Sequence, residues 1–323
     1  MYNIVIIGAG QLGSRHLQSL ASINLPLNIY VVDTNPEALN VAKSRFVEMS
    51  QLNSKEVTYY TNLDELPLNA DLAIVASNSI NRKSIIEALL AKCSIKFLLL
   101  EKFLFPRLSD YGQVSELLKA NKVKAWVNLP RRAFEFYKHI SKEINDKIVF
   151  TISGTNWGLG CNTIHFLDLF VMLSRPGYLF HTFNGIDNKI VESKRDGYIE
   201  FTGEIQLRTD KGDIFNAISY QNGDHPIILR IDSNDQSWVI NESARNFKYT
   251  AKKNNWEEEY GDFEIPFQSS IGSVSIEKIL LNGSCELTAY DESAALHKQL
   301  LEIYLKRYSE IVKTENTDLC PIT

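Results

Sequence analysis

The 323-residue sequence predicts an α/β fold, a doubly wound parallel sheet followed by an α+β domain with a mostly antiparallel sheet. Three observations predict it. Short, mainly apolar runs alternate with amphipathic stretches through the first 128 residues. A glycine-rich turn joins the first apolar run to the first amphipathic stretch. Beyond Asn128 the alternation gives way to strand patterns in succession.

The apolar runs at 3–8, 28–32, 57–60, 71–76, 96–100 and 123–128 read as strands buried on both faces, the signature of a parallel sheet. Helices are expected between them at 11–22, 36–48, 82–92 and 109–121, with Pro36 suited to a first helical turn after Asp33-Thr34-Asn35. A helix over 131–144, a strand over 147–153 and a helix over 162–173 then open the second domain. Strands follow from 181 to about 249, separated by turns such as Thr209-Asp210-Lys211-Gly212-Asp213 and Asn222-Gly223-Asp224. Helices at 269–281 and 292–313 close the pattern, before a polar tail expected to be loose. The expected domains are 1–128 and 129–323, with the C-terminal helix free to pack back on the first.

Composition excludes several functions. A net charge of -5 offers no basic surface for a nucleic-acid backbone. The apolar runs are too short to span a bilayer, and no basic and apolar leader opens the chain, so a cytoplasmic protein is expected. The 4 cysteines form no Cys-x-x-Cys pair and read as reduced thiols. The 6 histidines show no metal-ligand spacing, so no metal is expected.

Gly8-Ala9-Gly10-Gln11-Leu12-Gly13 fits Gly-x-Gly-x-x-Gly, and its context gives it weight. It follows an apolar strand and opens a helix, and Asp33 ends the next strand 20 positions after Gly13. Gly8 permits the tight turn, Gly10 lets the backbone approach a pyrophosphate, and Gly13 lets helix pack on strand. The helix N-terminus, with Gln11 and Leu12 in its first turn, turns N–H groups and partial positive charge toward phosphates. Asp33 would accept from a ribose 2′-hydroxyl and repel a 2′-phosphate, which favours NAD over NADP, with FAD a further option.

Four stretches in order resemble the Gfo/Idh/MocA family, the glucose–fructose oxidoreductase and inositol dehydrogenase group. They are the glycine segment with Ser14-Arg15-His16-Leu17, the run to Glu101-Lys102, Asn128-Leu129-Pro130-Arg131-Arg132, and Ile164-His165-Phe166-Leu167-Asp168. The resemblance implies a Rossmann domain, an open-faced sheet domain, substrate between them, and hydride transfer to or from a sugar or related polyol. It places Lys102 near the nicotinamide and the reacting hydroxyl, and adds Ser77, Asn78 and Glu101 to the cofactor residues. His165 matches the histidine of the family's Asp-x-x-x-His motif, but Cys161 stands at the Asp position. Phe103 replaces the family's proline after Glu-Lys, and Arg82 stands where a histidine is usual. Family members are often homodimers or homotetramers, joined through the outer face of the sheet.

The residues themselves carry a compatible chemistry. Oxidation of a secondary alcohol needs a group to take the hydroxyl proton, and the reverse reaction needs a donor to the carbonyl. Lys102 ends a parallel strand, where open α/β sheets bind ligands. His165 lies within an apolar helix and reads either as a catalytic or substrate-binding group or as a hydrogen-bonded core residue; Asp168 could orient it or pair elsewhere. Asn162 is a candidate helix N-cap or substrate partner, Arg131 a candidate substrate ligand, Trp157 a sugar-stacking or packing ring, and Cys161 a substrate contact. His16 receives no role.

The leading expectation is an NAD(P)-dependent oxidoreductase acting on a sugar, sugar nucleotide or cyclitol, with a role in surface polysaccharide synthesis. The alternatives are a non-catalytic NAD-binding regulator of the same fold, favoured by Cys161 and Phe103, and an NAD-dependent glycosidase.

Overall fold

The computed structural model describes residues 1–49, 55–314 and 317–323. Its first unit comprises residues 1–130 and 266–295. In chain order it holds β1 (Tyr2–Ile7), α1 (Gln11–Ala21), β2 (Leu27–Val32), α2 (Pro36–Met49), β3 (Glu56–Tyr60), β4 (Asn69–Val75), α3 (Ser79–Lys92), β5 (Ser94–Leu100), α4 (Leu108–Ala120) and β6 (Lys124–Val127). Six strands pair in parallel in the order β6-β5-β4-β1-β2-β3. The inner strands β1, β4 and β5 end in consecutive fully or nearly fully buried residues, as strands covered on both faces require.

The second unit comprises residues 131–265 and 296–323. After a 3-10 turn (Pro130–Ala133) come α5 (Glu135–Glu143), β7 (Val149–Thr155), α6 (Leu159–Ser174), β8 (Leu179–Ile186) and a small ribbon of β9 (Val191–Glu192) and β10 (Ile199–Glu200). Then follow β11 (Gly203–Thr209), β12 (Ile214–Tyr220), β13 (Ile228–Asp232), β14 (Gln236–Asn241), β15 (Asn246–Ala251) and β16 (Glu259–Asp262). Eight strands form one sheet, β16-β15-β14-β13-β7-β12-β11-β8, antiparallel throughout except where β7 runs beside β12. Alternate residues are buried along β7, β12 and β14, so one face is covered. Phe170 of α6 packs on that face, 5.8 Å from Phe150 and 5.5 Å from Phe215 between ring centroids.

The chain does not divide once near 128, as the sequence pattern suggested. It returns to the first unit as α7 (Gln268–Asn282) and β17 (Thr288–Ala289), which pairs antiparallel to β6. Ile276, Ile279 and Leu280 of α7 join Leu17 and Leu20 of α1 in one apolar cluster, and burying that stripe is what draws the segment back. The last helix, α8 (Tyr290–Val312), begins in the first unit and ends in the second.

Three further expectations are corrected. The helix over 131–144 is broken, because Phe134 is extended and α5 starts only at Glu135. Asn162 is not the cap of α6; Gly158, at φ 83°, holds that place and the helix starts at Leu159. The tail is not loose at its end: Cys320 and Ile322 are fully buried, and Ile199 N–H donates to Pro321 O at 2.8 Å. Its Leu-Cys-Pro-Ile run supplies the apolar surface that the preceding polar residues lack.

Candidate active site

In the first unit a cleft of about 430 Å³ opens at the carboxyl ends of the parallel strands. It is lined by Gly8 and Gly10 after β1, Asp33 after β2, Thr61 after β3, and Ser77 and Asn78 after β4. Strand order reverses between β1 and β4, and that reversal leaves the crevice where doubly wound sheets bind nucleotides.

Each glycine has a mechanical reason. Gly8 sits at φ 92°, a left-handed turn that other residues adopt at a cost. A Cβ on Gly13 would stand 1.7 Å from the carbonyl oxygen of Gly8, so only glycine lets α1 approach β1. A Cβ on Gly10 would meet nothing within 4 Å; it would project into open space beside the cleft. Ser14 N–H donates to Gly10 O at 2.9 Å and begins the helix, while Arg45 braces the turn through Ser14 Oγ (2.6 Å) and Gln11 Oε1 (2.9 Å).

These residues fit a dinucleotide. Among the described residues no side chain caps the N-terminus of α1 and no acidic group stands in its first turn, so its amides face the cleft ready for phosphate. Ser77 Oγ, also on the cleft, has no hydrogen-bond partner among the described residues. The Asp33 carboxylate is fixed by Ala9 N–H at 2.6 Å and Asn35 N–H at 2.8 Å, each on a different oxygen. Both oxygens keep a further lone pair for ribose hydroxyls.

Lys102 follows β5, the strand beside β4, and is half-buried. The Lys102–Phe103 peptide is cis. Its neighbour Glu101 was expected at the cofactor but is buried, 3% exposed, and does not line the cleft. Glu101 Oε1 meets His16 Nε2 at 2.6 Å and accepts from Asn128 Nδ2 at 2.7 Å. Burial pushes this carboxyl up, but the His16 bond and charge, Asn128 and the Arg82 charge together pull it below the usual carboxylate range. His16, read from sequence as having no role, thus ties α1 to the end of β5.

In the second unit several polar residues singled out from sequence are bonded within that unit. Arg131 forms a two-pronged pair with Glu242, Nε to Oε1 at 2.9 Å and an Nη to Oε2 at 2.6 Å, and lies 4.3 Å from the Phe166 ring centroid. Tyr137 donates to the same carboxylate at 2.6 Å. Burial pushes Glu242 up, yet the charge and hydrogen bonds of Arg131, with Tyr137, hold it below its ordinary range. Arg132 Nε donates to the fully buried Asp168 at 2.8 Å, which assigns that carboxylate a structural pair. Trp157 is 5% exposed, donates to Ile218 O at 2.7 Å and packs edge-on against Phe166, so packing is the reading its surroundings match.

Around the start of α6, Glu200 accepts from Gly160 N–H at 2.8 Å and Cys161 N–H at 3.2 Å, supplying the cap that Gly158 cannot. Asn162 turns back to donate to Trp157 O at 2.7 Å. His165 is half-buried one helical turn beyond Cys161. Glu242 and Glu200 were missed by sequence reasoning, and neither carries a local motif that would reveal it. Among the described residues no cluster of potential ligands could hold a metal ion, and no helix is long and apolar enough to cross a membrane.

The sequence model of the Gfo/Idh/MocA family, described as an oxidoreductase family with an NAD-binding Rossmann fold, matches residues 2–129. The match covers the first unit's parallel-sheet segment, which resembles that family in sequence. Solved structures share the fold across nearly the whole chain. A UDP-N-acetylglucosamine 3-dehydrogenase from Acidithiobacillus ferrooxidans is 14% identical, with a TM-score of 0.69 and 97% of each chain covered. A Gfo/Idh/MocA family oxidoreductase from Vibrio cholerae is 16% identical, at TM-score 0.70, covering 97% of this chain and 100% of that one. An oxidoreductase from Agrobacterium radiobacter, crystallised with NAD+, L-tartaric acid and magnesium, is 13% identical at TM-score 0.69, with 93% and 94% covered. No curated protein matches in sequence.

The matched segment is an NAD-binding Rossmann fold, and Gly8, Gly10, Asp33, Ser77 and Asn78 are the predicted cofactor residues that its cleft brings together. Gln11, Leu12 and Gly13 lie in the first turn of α1 and do not line the cleft. Lys102 belongs to this unit, whereas Arg131, Trp157, Cys161, Asn162 and His165 belong to the other.

Proposed function

We propose that the protein is an NAD-dependent dehydrogenase or reductase acting on a hydroxyl or carbonyl carbon of a sugar, sugar nucleotide or cyclitol. The observation that carries the reading is the open nucleotide cleft at the β1–β4 reversal, with Lys102 at the end of the adjacent strand. NAD, when bound, supplies the hydride acceptor or donor at its nicotinamide. Gly8, Gly10 and the α1 amides hold its phosphates, Asp33 its ribose, and Ser77 and Asn78 the cleft wall. Lys102 takes the hydroxyl proton in oxidation and returns it in reduction, acting at Nζ. In the second unit His165 is the candidate for substrate contact, with Cys161 and Asn162 on the same first turns of α6. The fold shared with a UDP-sugar dehydrogenase makes nucleotide sugars the first compounds to try.

A second reading, a non-catalytic NAD-binding sensor, draws on Cys161: no carboxyl side chain stands at that position. Incubation of the protein and NAD+ with UDP-sugars, free sugars and cyclitols, followed by NADH absorbance, separates the two. Substrate-dependent NADH release is expected for a dehydrogenase, and its absence across the panel despite tight NAD binding favours the sensor. Lys102→Met is expected to lower turnover by about 10³-fold, the scale of a lost general acid–base group, with NAD affinity within about threefold. Full turnover in that variant removes Lys102 from the chemistry.

A further inference from the structure

We infer that Arg82 is a positioning residue, whose guanidinium locks the loop carrying Lys102 to the loop carrying Ser77. The inference rests on the role proposed for Lys102. Arg82 lies in the first turn of α3 and is 1% exposed. One terminal nitrogen donates to the carbonyls of Phe103 and Leu104, the latter at 2.8 Å, and the other donates to the carbonyl of Ser77. Phe103 and Leu104 are fully buried, so their carbonyls depend on such donors. One planar fork therefore joins the cleft-lining loop after β4 to the separate loop after β5, a task for which an arginine is suited and a single ammonium is not.

Lys102 is held from its other side as well. Glu101 is fixed by His16 and Asn128, from α1 and from the end of β6. Lys102 is thus the half-buried residue between two clamped, buried neighbours. A reacting group must be held within about 0.5 Å of its productive place, and a lysine on a flexible stem meets that only if its Cα is fixed. Arg82 supplies the downstream half of that fixation. It also couples it to the wall that the cofactor touches.

The test compares wild-type full-length protein with Arg82→Gln by hydrogen–deuterium exchange, NADH titration and acetic anhydride labelling of lysines read by mass spectrometry. Amide exchange is expected to rise about tenfold or more in residues 77–78 and 102–105 and to stay within about twofold elsewhere. The rate of Lys102 acetylation should rise relative to the other lysines, and NADH affinity should fall, since Ser77 and Asn78 line the cofactor cleft. A purely fold-stabilising arginine would instead raise exchange across the whole unit, and that result, or no change in the two loops, overturns the proposal. If Arg82→Gln does not fold, Arg82→Lys carries the same comparison, because one amine cannot span both loops. None of these readouts needs substrate. Retained turnover in Lys102→Met would therefore end the catalytic reading and leave the lock to be judged separately.

Discussion

The residues that the sequence singles out are used differently in the two units. In the first, the cleft keeps bonding capacity in reserve: the α1 N-terminus is uncapped by any described side chain, Ser77 Oγ has no described partner, and Gly10 borders open space. In the second, the conspicuous residues are spent on one another, in the Arg131–Glu242–Tyr137 and Arg132–Asp168 groups and in the Glu200 cap on α6. The difference teaches that a charged residue near a helix start is not by itself a ligand-binding residue. Capacity left open beside a cleft is the better sign.

The sharpest way to break this contrast is to remove Glu242. If Arg131 serves the fold, Glu242→Gln leaves a partly buried guanidinium without its counter-charge and lowers stability by about 3 kcal/mol, measured by urea denaturation. The Arg131→Met, Glu242→Leu double variant should recover much of the loss, since it removes both charges. A stability change under about 1 kcal/mol in the single variant would return Arg131 to the list of ligand-binding residues.

A smaller effect tests the buried network of the first unit. The folded protein holds Glu101 below its ordinary range, so its contribution is complete above the unfolded value of about 4.3 and fades as pH falls through the lower folded value. Glu101→Gln should cost about 2–3 kcal/mol near neutral pH, the scale of a charged hydrogen bond. The gap in stability between wild type and variant should then shrink below about pH 4. A gap that stays constant down to acid unfolding would show that the carboxylate charge contributes nothing.

What could be read from the sequence follows the same division. The glycine turn and Asp33 were legible because their roles are set by backbone conformation and by short spacing: Gly8 needs its left-handed φ and Gly13 its close approach wherever the partners lie. The parallel sheet was legible because its strands are apolar on both faces. The pairs were not, since His16 finds Glu101 85 residues away and Arg131 finds Glu242 111 residues away. Likewise the apolar stripe of α7 announced burial but not the unit that buries it, and the return of residues 266–295 went unread.

The central claim is that the cleft holds NAD with Asp33 at the adenosine ribose, and calorimetric titration of NAD+ and NADP+ into the wild type and Asp33→Ala tests it directly. Wild-type protein is expected to bind NAD+ about tenfold tighter than NADP+ or better, with the preference largely lost in the variant. Equal affinities in the wild type, or tighter binding of NADP+, would contradict it.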